Sequence, residues 1–258
     1  MKPLYYKEQG EGSALVLLHG FCETHEIWEN IFPELSTKFK VIALDLPGFG
    51  KSDPLSLDFS IKKVGRSVTD LLSSIGIQNC VFVGHSLGGY VALTIAQERP
   101  DLVAGLCLFH STALPDNDEK KINRNRVIDF VEKNGALPFV ETFVPGLFFK
   151  KDQKNMESVY KIASKTSKNS IIAYSRAMRD RPDMTDFLME FFKPVLFVGG
   201  ENDSFLRVPS LEGQAKLAVA GEVKILAGTG HMGMYEATSQ SIRILKDFAG
   251  ACFHSIAL

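Results

Sequence analysis

The stretch Asn79–Pro100, "NCVFVGHSLGGYVALTIAQERP", is where the fold is decided. An apolar run from Cys80 to Val83 meets Ser86, with glycine two residues before it, two after it, and a third beyond. A strand that simply turned into a helix would need one flexible residue. Three glycines packed around one serine point to a second constraint, a backbone so close to its neighbours that a Cβ has no room.

Working outward, short apolar runs alternate with longer amphipathic segments. The runs are Ala14 to Gly20, Lys40 to Leu46, Cys80 to Ser86, Leu102 to Ser111, Pro194 to Gly200 and Glu222 to Gly228. They are rich in Val, Ile, Leu and Phe and lack clean polar alternation, the pattern of strands buried on both faces of a parallel sheet. Between them, "SIKKVGRSVTDLLSSIG" places Ile61, Val64, Val68, Leu71, Leu72 and Ile75 on one helical stripe. Strand–helix alternation of this kind predicts a doubly wound α/β sheet, with "LYYKEQGEG" as an antiparallel edge strand and turn. From Thr112 to about Phe192 the strand signal gives way to helical patterns. That is too long for an ordinary crossover, so the expected organisation is a core of residues 1–111 and 193–258 with a helical cap over 112–192.

Composition bounds the partners. The 258 residues are 45% hydrophobic and 23% charged, with 30 acidic and 29 basic side chains and a formal net charge of -1. This balance supplies no electrostatic reason to expect nucleic acid or an anionic membrane. No apolar run approaches the roughly 20 residues of a membrane helix, and no secretory signal is visible. Cys22, Cys80, Cys107 and Cys252 form no CxxC pair and read as reduced thiols, which fits a cytoplasmic protein.

Gly84-His85-Ser86-Leu87-Gly88 matches G-x-S-x-G, and its setting between a strand and a helix is the one that motif requires. A serine hydroxyl becomes a useful nucleophile only when a base takes its proton. His231, in "AGTGHMGMYE" after the last apolar run, is the candidate base. Asp203, in "FVGGENDSF", is the candidate acid that orients it, with Glu201 as the alternative. An oxyanion needs two donors: the N–H of Leu87 follows the serine, and that of Phe21 lies in the loop after the Ala14 run, with Cys22 as its neighbour and alternative. His85 is expected to point away from Ser86. His110 ends a strand, where it either packs structurally or lines the pocket, and His254 falls in a frayed tail. Asp116 and Asp118 are read as helix-capping residues.

Five segments in order resemble the α/β-hydrolase family across nearly the whole chain: "LLHGF", "LDLPGFGKSD", "GHSLGGYVAL", "LFVGGEND" and "GTGHM". "AMRDRPDMTDFL" resembles the end of the lid in capped bacterial members. The resemblance implies a mostly parallel eight-stranded sheet with a helical lid, a structural role for Asp45, and hydrolysis without a metal or organic cofactor. A serine at the elbow, where haloalkane dehalogenases and epoxide hydrolases of this fold carry aspartate, implies an acyl-enzyme and an ester substrate. Carbon–carbon bond hydrolases and cofactor-free perhydrolases with the same three residues, and small-molecule receptors of this fold, stand as alternatives. In "GALPFVETFVPGLFF", Phe139, Phe143 and Leu147 are the candidate apolar pocket wall, although such a stripe also suits lid core. Arg124, Arg126, Arg176, Arg179 and Arg181 are either solvated or available to grip a substrate carboxylate.

Overall fold

The apolar runs become strands because their side chains are buried on both faces. A computed structural model describes residues 4–54 and 59–254; residues 1–3, 55–58 and 255–258 of the expected core lie outside it. The strands are β1 (Tyr6–Gln9), β2 (Ala14–Leu18), β3 (Lys40–Leu44), β4 (Cys80–His85), β5 (Val103–Phe109), β6 (Val195–Gly200) and β7 (Gly221–Leu226). Every residue of β2, β4, β5 and β6 is buried. As the far edge, β7 is half exposed, with a single fully buried residue, Leu226.

The helices are α1 (Phe32–Leu35), α2 (Ile61–Ser74), α3 (Leu87–Glu98), α4 (Asp118–Asn134), α5 (Ala136–Leu147), α6 (Gln153–Ala163), α7 (Lys168–Arg179), α8 (Thr185–Glu190), α9 (Val208–Leu217), α10 (Gly233–Glu236) and α11 (Thr238–His254). The α2 stripe buries Ile61, Val64, Val68, Leu71 and Leu72, as its spacing predicts. Among the described residues, no helix is long and apolar enough to cross a membrane.

The strand order is β1-β3-β2-β4-β5-β6-β7. β1 is antiparallel to β3, and all other pairs are parallel. Among the described residues the sheet therefore has seven strands, one fewer than the resemblance implied. The chain leaves β2 for β3 on one side and returns to β4 on the other, so β2 and β4 flank the point where the order reverses. In open α/β sheets, ligand sites form outside the carboxyl ends of strands at such a point.

Helices α4 to α8 fall between β5 and β6. They rest on the core through α7: Tyr174 Oη donates to the Pro47 carbonyl at 2.9 Å and Ser170 Oγ to the Gly48 carbonyl at 2.6 Å. Asn117 caps α4 by accepting from Lys120 N, so neither Asp116 nor Asp118 is the cap. Asp116 instead pairs with Arg181 at 2.7 Å and Arg124 at 3.0 Å, tying the two ends of the insertion together. His254 ends α11, its Nδ1 2.6 Å from the Gly250 carbonyl, rather than lying in a frayed tail.

Asp45, fully buried at the end of β3, accepts hydrogen bonds from His25 N, His25 Nδ1 and Lys51 N, drawing the loops after β2 and β3 together. Replacing it strands buried donors, a loss of about 3 kcal/mol. Asp45→Ala is therefore expected to lower the midpoint of a denaturant unfolding curve markedly; an unchanged midpoint would show that these loops hold without it.

Candidate active site

Ser86 follows β4 with φ 48° and ψ -112°, a left-handed conformation that costs a non-glycine residue about 1–3 kcal/mol. The surroundings hold it there. Its N–H donates to the Phe109 carbonyl at 3.0 Å, and its carbonyl accepts from Ser111 Oγ at 2.7 Å. The glycines are explained by contact. A Cβ at Gly84 would meet the backbone of Gly88 and Gly89, one at Gly88 would meet the Leu18 and His19 carbonyls, and one at Gly89 would meet the Ser111 side chain. Helix α3 begins at Leu87, so its free N-terminal N–H groups and the positive end of its dipole face this turn.

Two more strand ends converge here. After β6, Asp203 is buried; after β7, His231 is 4% exposed. His231 Nδ1 donates to Asp203 Oδ2 at 2.7 Å. The other oxygen, Oδ1, accepts from Phe205 N at 2.8 Å and Leu206 N at 3.3 Å. Burial by itself would raise the Asp203 carboxyl, but His231 and His110 overcome it and hold the group well below the usual carboxylate range. Glu201 is not part of this arrangement: it is exposed and accepts from Gly228 N. Among the described residues, the N–H groups of Phe21 and Leu87 donate to no protein acceptor, and neither does that of Cys22.

His110 also reaches Asp203, its Nδ1 3.1 Å from Oδ2, while its Nε2 accepts from Gly233 N at 3.2 Å. His110, Asp203 and His231 offer three ligand atoms within 4.8 Å of one another, the kind of cluster that can hold a metal ion. Here the ring nitrogens that face Asp203 are its hydrogen-bond donors, so the cluster is satisfied as a hydrogen-bonded network.

His85 bonds away from the serine. Its Nδ1 lies 2.9 Å from Glu23 Oε2 and its Nε2 3.0 Å from the His231 carbonyl, so both ring nitrogens face acceptors. Glu23 also accepts from Gly20 N at 2.6 Å, linking the loop after β2 to the His231 segment. Burial opposes a charge on His85, yet Glu23 raises its affinity for a proton. Burial likewise opposes a charge on Glu23, yet His85 and its other partners lower that carboxyl.

Helix α5 reaches the site through aromatic contacts. Phe139 and Phe143 stack at 5.2 Å, and both rings lie about 6 Å from Phe21. Phe143 meets Phe205 at 6.3 Å, and Phe205 tilts over His231 at 4.9 Å. Leu147 is buried, and its carbonyl accepts from His231 N at 2.8 Å. Glu236 fastens the same junction, accepting from Phe149 N, Lys150 N and Gly230 N. Arg181 is buried against Asp116 and lies over the Tyr90 ring at 4.0 Å, so it is neither solvated nor aimed at a substrate.

The sequence reading did not include Glu23 or Phe205, nor the contact of His110 with Asp203. Position was the available signal: His110 ends a strand on the same edge as Ser86, and Phe205 follows Asp203 by two residues. Glu23 carries no comparable signature.

Residues 13–137 match the family model described as the alpha/beta hydrolase fold. A thermophilic esterase from Thermogutta terrifontis superposes with a TM-score of 0.91 at 27% identity, over 96% of this chain and 93% of that one. The chain has the α/β-hydrolase fold. It is 28% identical over 262 residues to the 2-hydroxy-6-oxo-6-phenylhexa-2,4-dienoate hydrolase of Comamonas testosteroni, covering 95% of this chain and 90% of that one. A 39% match to an uncharacterised Mycobacterium tuberculosis protein spans 103 residues, 40% of this chain and only 30% of that protein's length.

The Glu23–His85 pair sets a pH dependence. His85 holds its proton more tightly when folded, so its share of stability is full below 6.5 and fades as pH rises through the folded value. Glu23 works in the opposite sense, its share being present above 4.5 and lost as pH falls. The pair therefore contributes most around pH 6, and breaking a buried pair costs about 3 kcal/mol or more. Glu23→Gln is expected to lower the Tm most near pH 6 and less at pH 9. Equal losses at both values would mean that His85 keeps one protonation state across this range.

Proposed function

We propose that the protein is a serine esterase that cleaves a small, largely apolar carboxylic ester through an acyl-enzyme. One observation carries the reading: Ser86 on a strained strand-to-helix turn shares one sheet edge with His231 hydrogen-bonded to Asp203 at 2.7 Å. In this reading residues 112–192 are the cap, and the four free, buried cysteines suit a cytoplasmic setting.

His231 Nε2 takes the Ser86 proton as Oγ attacks the acyl carbon. The N–H groups of Phe21 and Leu87 receive the oxyanion, a role that their lack of protein acceptors supports. When the tetrahedral species collapses, His231 gives its proton to the departing alkoxide. Water, deprotonated by His231, then attacks the acyl-enzyme, and the second collapse releases the carboxylic acid and returns the proton to Ser86. Among the described residues the Ser86 hydroxyl makes no hydrogen bond; contacts of this kind commonly tighten only when substrate binds.

The wall of Phe21, Phe139, Phe143 and Phe205 supports an apolar acyl group. Arg124 and Arg181 are paired with Asp116, Arg176 with Glu132 and Arg179 with Asp180, which favours a neutral substrate over an acidic one. The similarity to the Comamonas hydrolase favours a second reading, a carbon–carbon bond hydrolase using the same residues. Turnover confined to a dienoic keto-acid would select it.

With p-nitrophenyl esters from acetate to decanoate, the wild type is expected to turn over several members, and Ser86→Ala to lose at least about 10³-fold in kcat. Activity surviving in Ser86→Ala would refute the mechanism. Phe143→Ala opens the wall and is expected to shift kcat/KM toward longer acyl chains by about tenfold, as several contacts with one methylene group are worth. An unaltered chain-length profile would remove Phe143 from the pocket.

A further inference from the structure

His110 is built into the site at a cost. It has φ 48°, one of three non-glycine residues with positive φ among the described residues, and another of the three is Ser86. Its N–H is held by the Val198 carbonyl at 2.7 Å, and the turn directs the ring, fully buried, between the Asp203 loop and the His231 loop. A strained backbone at a converging edge is retained only where the surroundings over-determine it.

The hydrogen bonds settle which ring nitrogen carries the proton. Nε2 faces the Gly233 N–H, a donor, and so must accept. Nδ1 therefore bears the hydrogen and donates it to Asp203 Oδ2, the oxygen that also accepts from His231 Nδ1. Burial pushes the His110 ring down to about 4, so it remains neutral at neutral pH. There is no room for a bulkier partner, since a Cβ on Gly233 would lie 2.5 Å from His110 Nε2.

We propose that His110 is a positioning residue that acts through Asp203 on His231: it shares the carboxylate oxygen that His231 uses and holds that oxygen in place for the His231 Nδ1–H. The inference rests on the roles proposed for Asp203 and His231. The physical reason is competition. A second N–H on Oδ2 draws off part of its negative charge, so the oxygen stabilises the His231 imidazolium less than it would alone. The other titratable groups facing His231 are Asp203 itself and, at 5.0 Å between rings, His85 with Glu23 behind it. Of these, Asp203 is the one hydrogen-bonded to His110, and the His85 ring lies 6.0 Å from the His110 ring.

The test is an NMR titration of the histidine ring nitrogens in the full chain. Wild-type His110 is expected to show the Nδ1–H tautomer and no titration above pH 5. An Nε2–H tautomer, or an imidazolium at pH 7, would overturn the proposal without any variant. His110→Phe removes the donor and is expected to shift the His231 Nδ1–H proton resonance, because Oδ2 then accepts from His231 alone. His110→Asn places an amide N–H where Nδ1 stood and tolerates positive φ, so it should return that resonance close to its wild-type position. If both variants lower the Tm but leave the His231 resonance in place, His110 is a packing residue and the proposal fails. This readout needs no turnover: an inactive wild type whose His231 resonance still responds would defeat the esterase reading while leaving this one standing.

Discussion

Burying the Asp203 carboxylate would cost several kcal/mol if its lone pairs were unmet, and four N–H groups meet them. His231 and His110 share one oxygen, and the backbones of Phe205 and Leu206 share the other. These donors come from the ends of β5, β6 and β7. Satisfying one charge therefore locks three strand ends together, and the rest of the carboxyl edge is arranged around that lock. A second buried pair, Glu23 with His85, does the same for β2 and β4 and reaches the His231 carbonyl. The two networks meet at His231, whose ring and backbone they hold from different sides.

Steric exclusion complements this electrostatic order. Gly84 and Gly88 let β4 and α3 approach each other and the end of β2 more closely than any side chain permits. That closeness presents Ser86 at the point where strand order reverses, beside the loop that carries Phe21. Parallel register extends the arrangement across the sheet, pairing Leu18 with Gly84, His85 with Phe109 and Phe109 with Val198. Side chains distant in sequence consequently share one edge.

The insertion is not free of this edge. The Leu147 carbonyl holds His231 N, and the Glu236 carboxylate gathers Phe149 N, Lys150 N and Gly230 N. The carboxyl end of α5 and the His231 loop are thus one mechanical unit. Phe143 and Phe205 continue the connection as a row of rings ending on His231, so the shape of the apolar wall and the position of the imidazole are linked.

Much of the fold was legible in the sequence. Unalternating apolar runs marked the parallel strands, the 3–4 spacing marked α2, and the long helical stretch after Ser111 marked α4 to α8. The places of Ser86, Asp203 and His231 at strand ends were legible as well, because each follows a recognisable run and glycines flag the tight turns. The eighth strand was carried over from the family resemblance rather than read from residues, and the described chain does not form it. The roles of Glu23 and His110 were hidden, since a buried pair formed across 62 residues, and another across 93, leave no local pattern. By itself the sequence determined which segments become strands and helices and which chemical groups lie at their ends, because propensity and burial periodicity are local properties. Only the tertiary structure decided which of those groups share a proton or an oxygen, because hydrogen bonds act within about 3 Å and that proximity is created by packing.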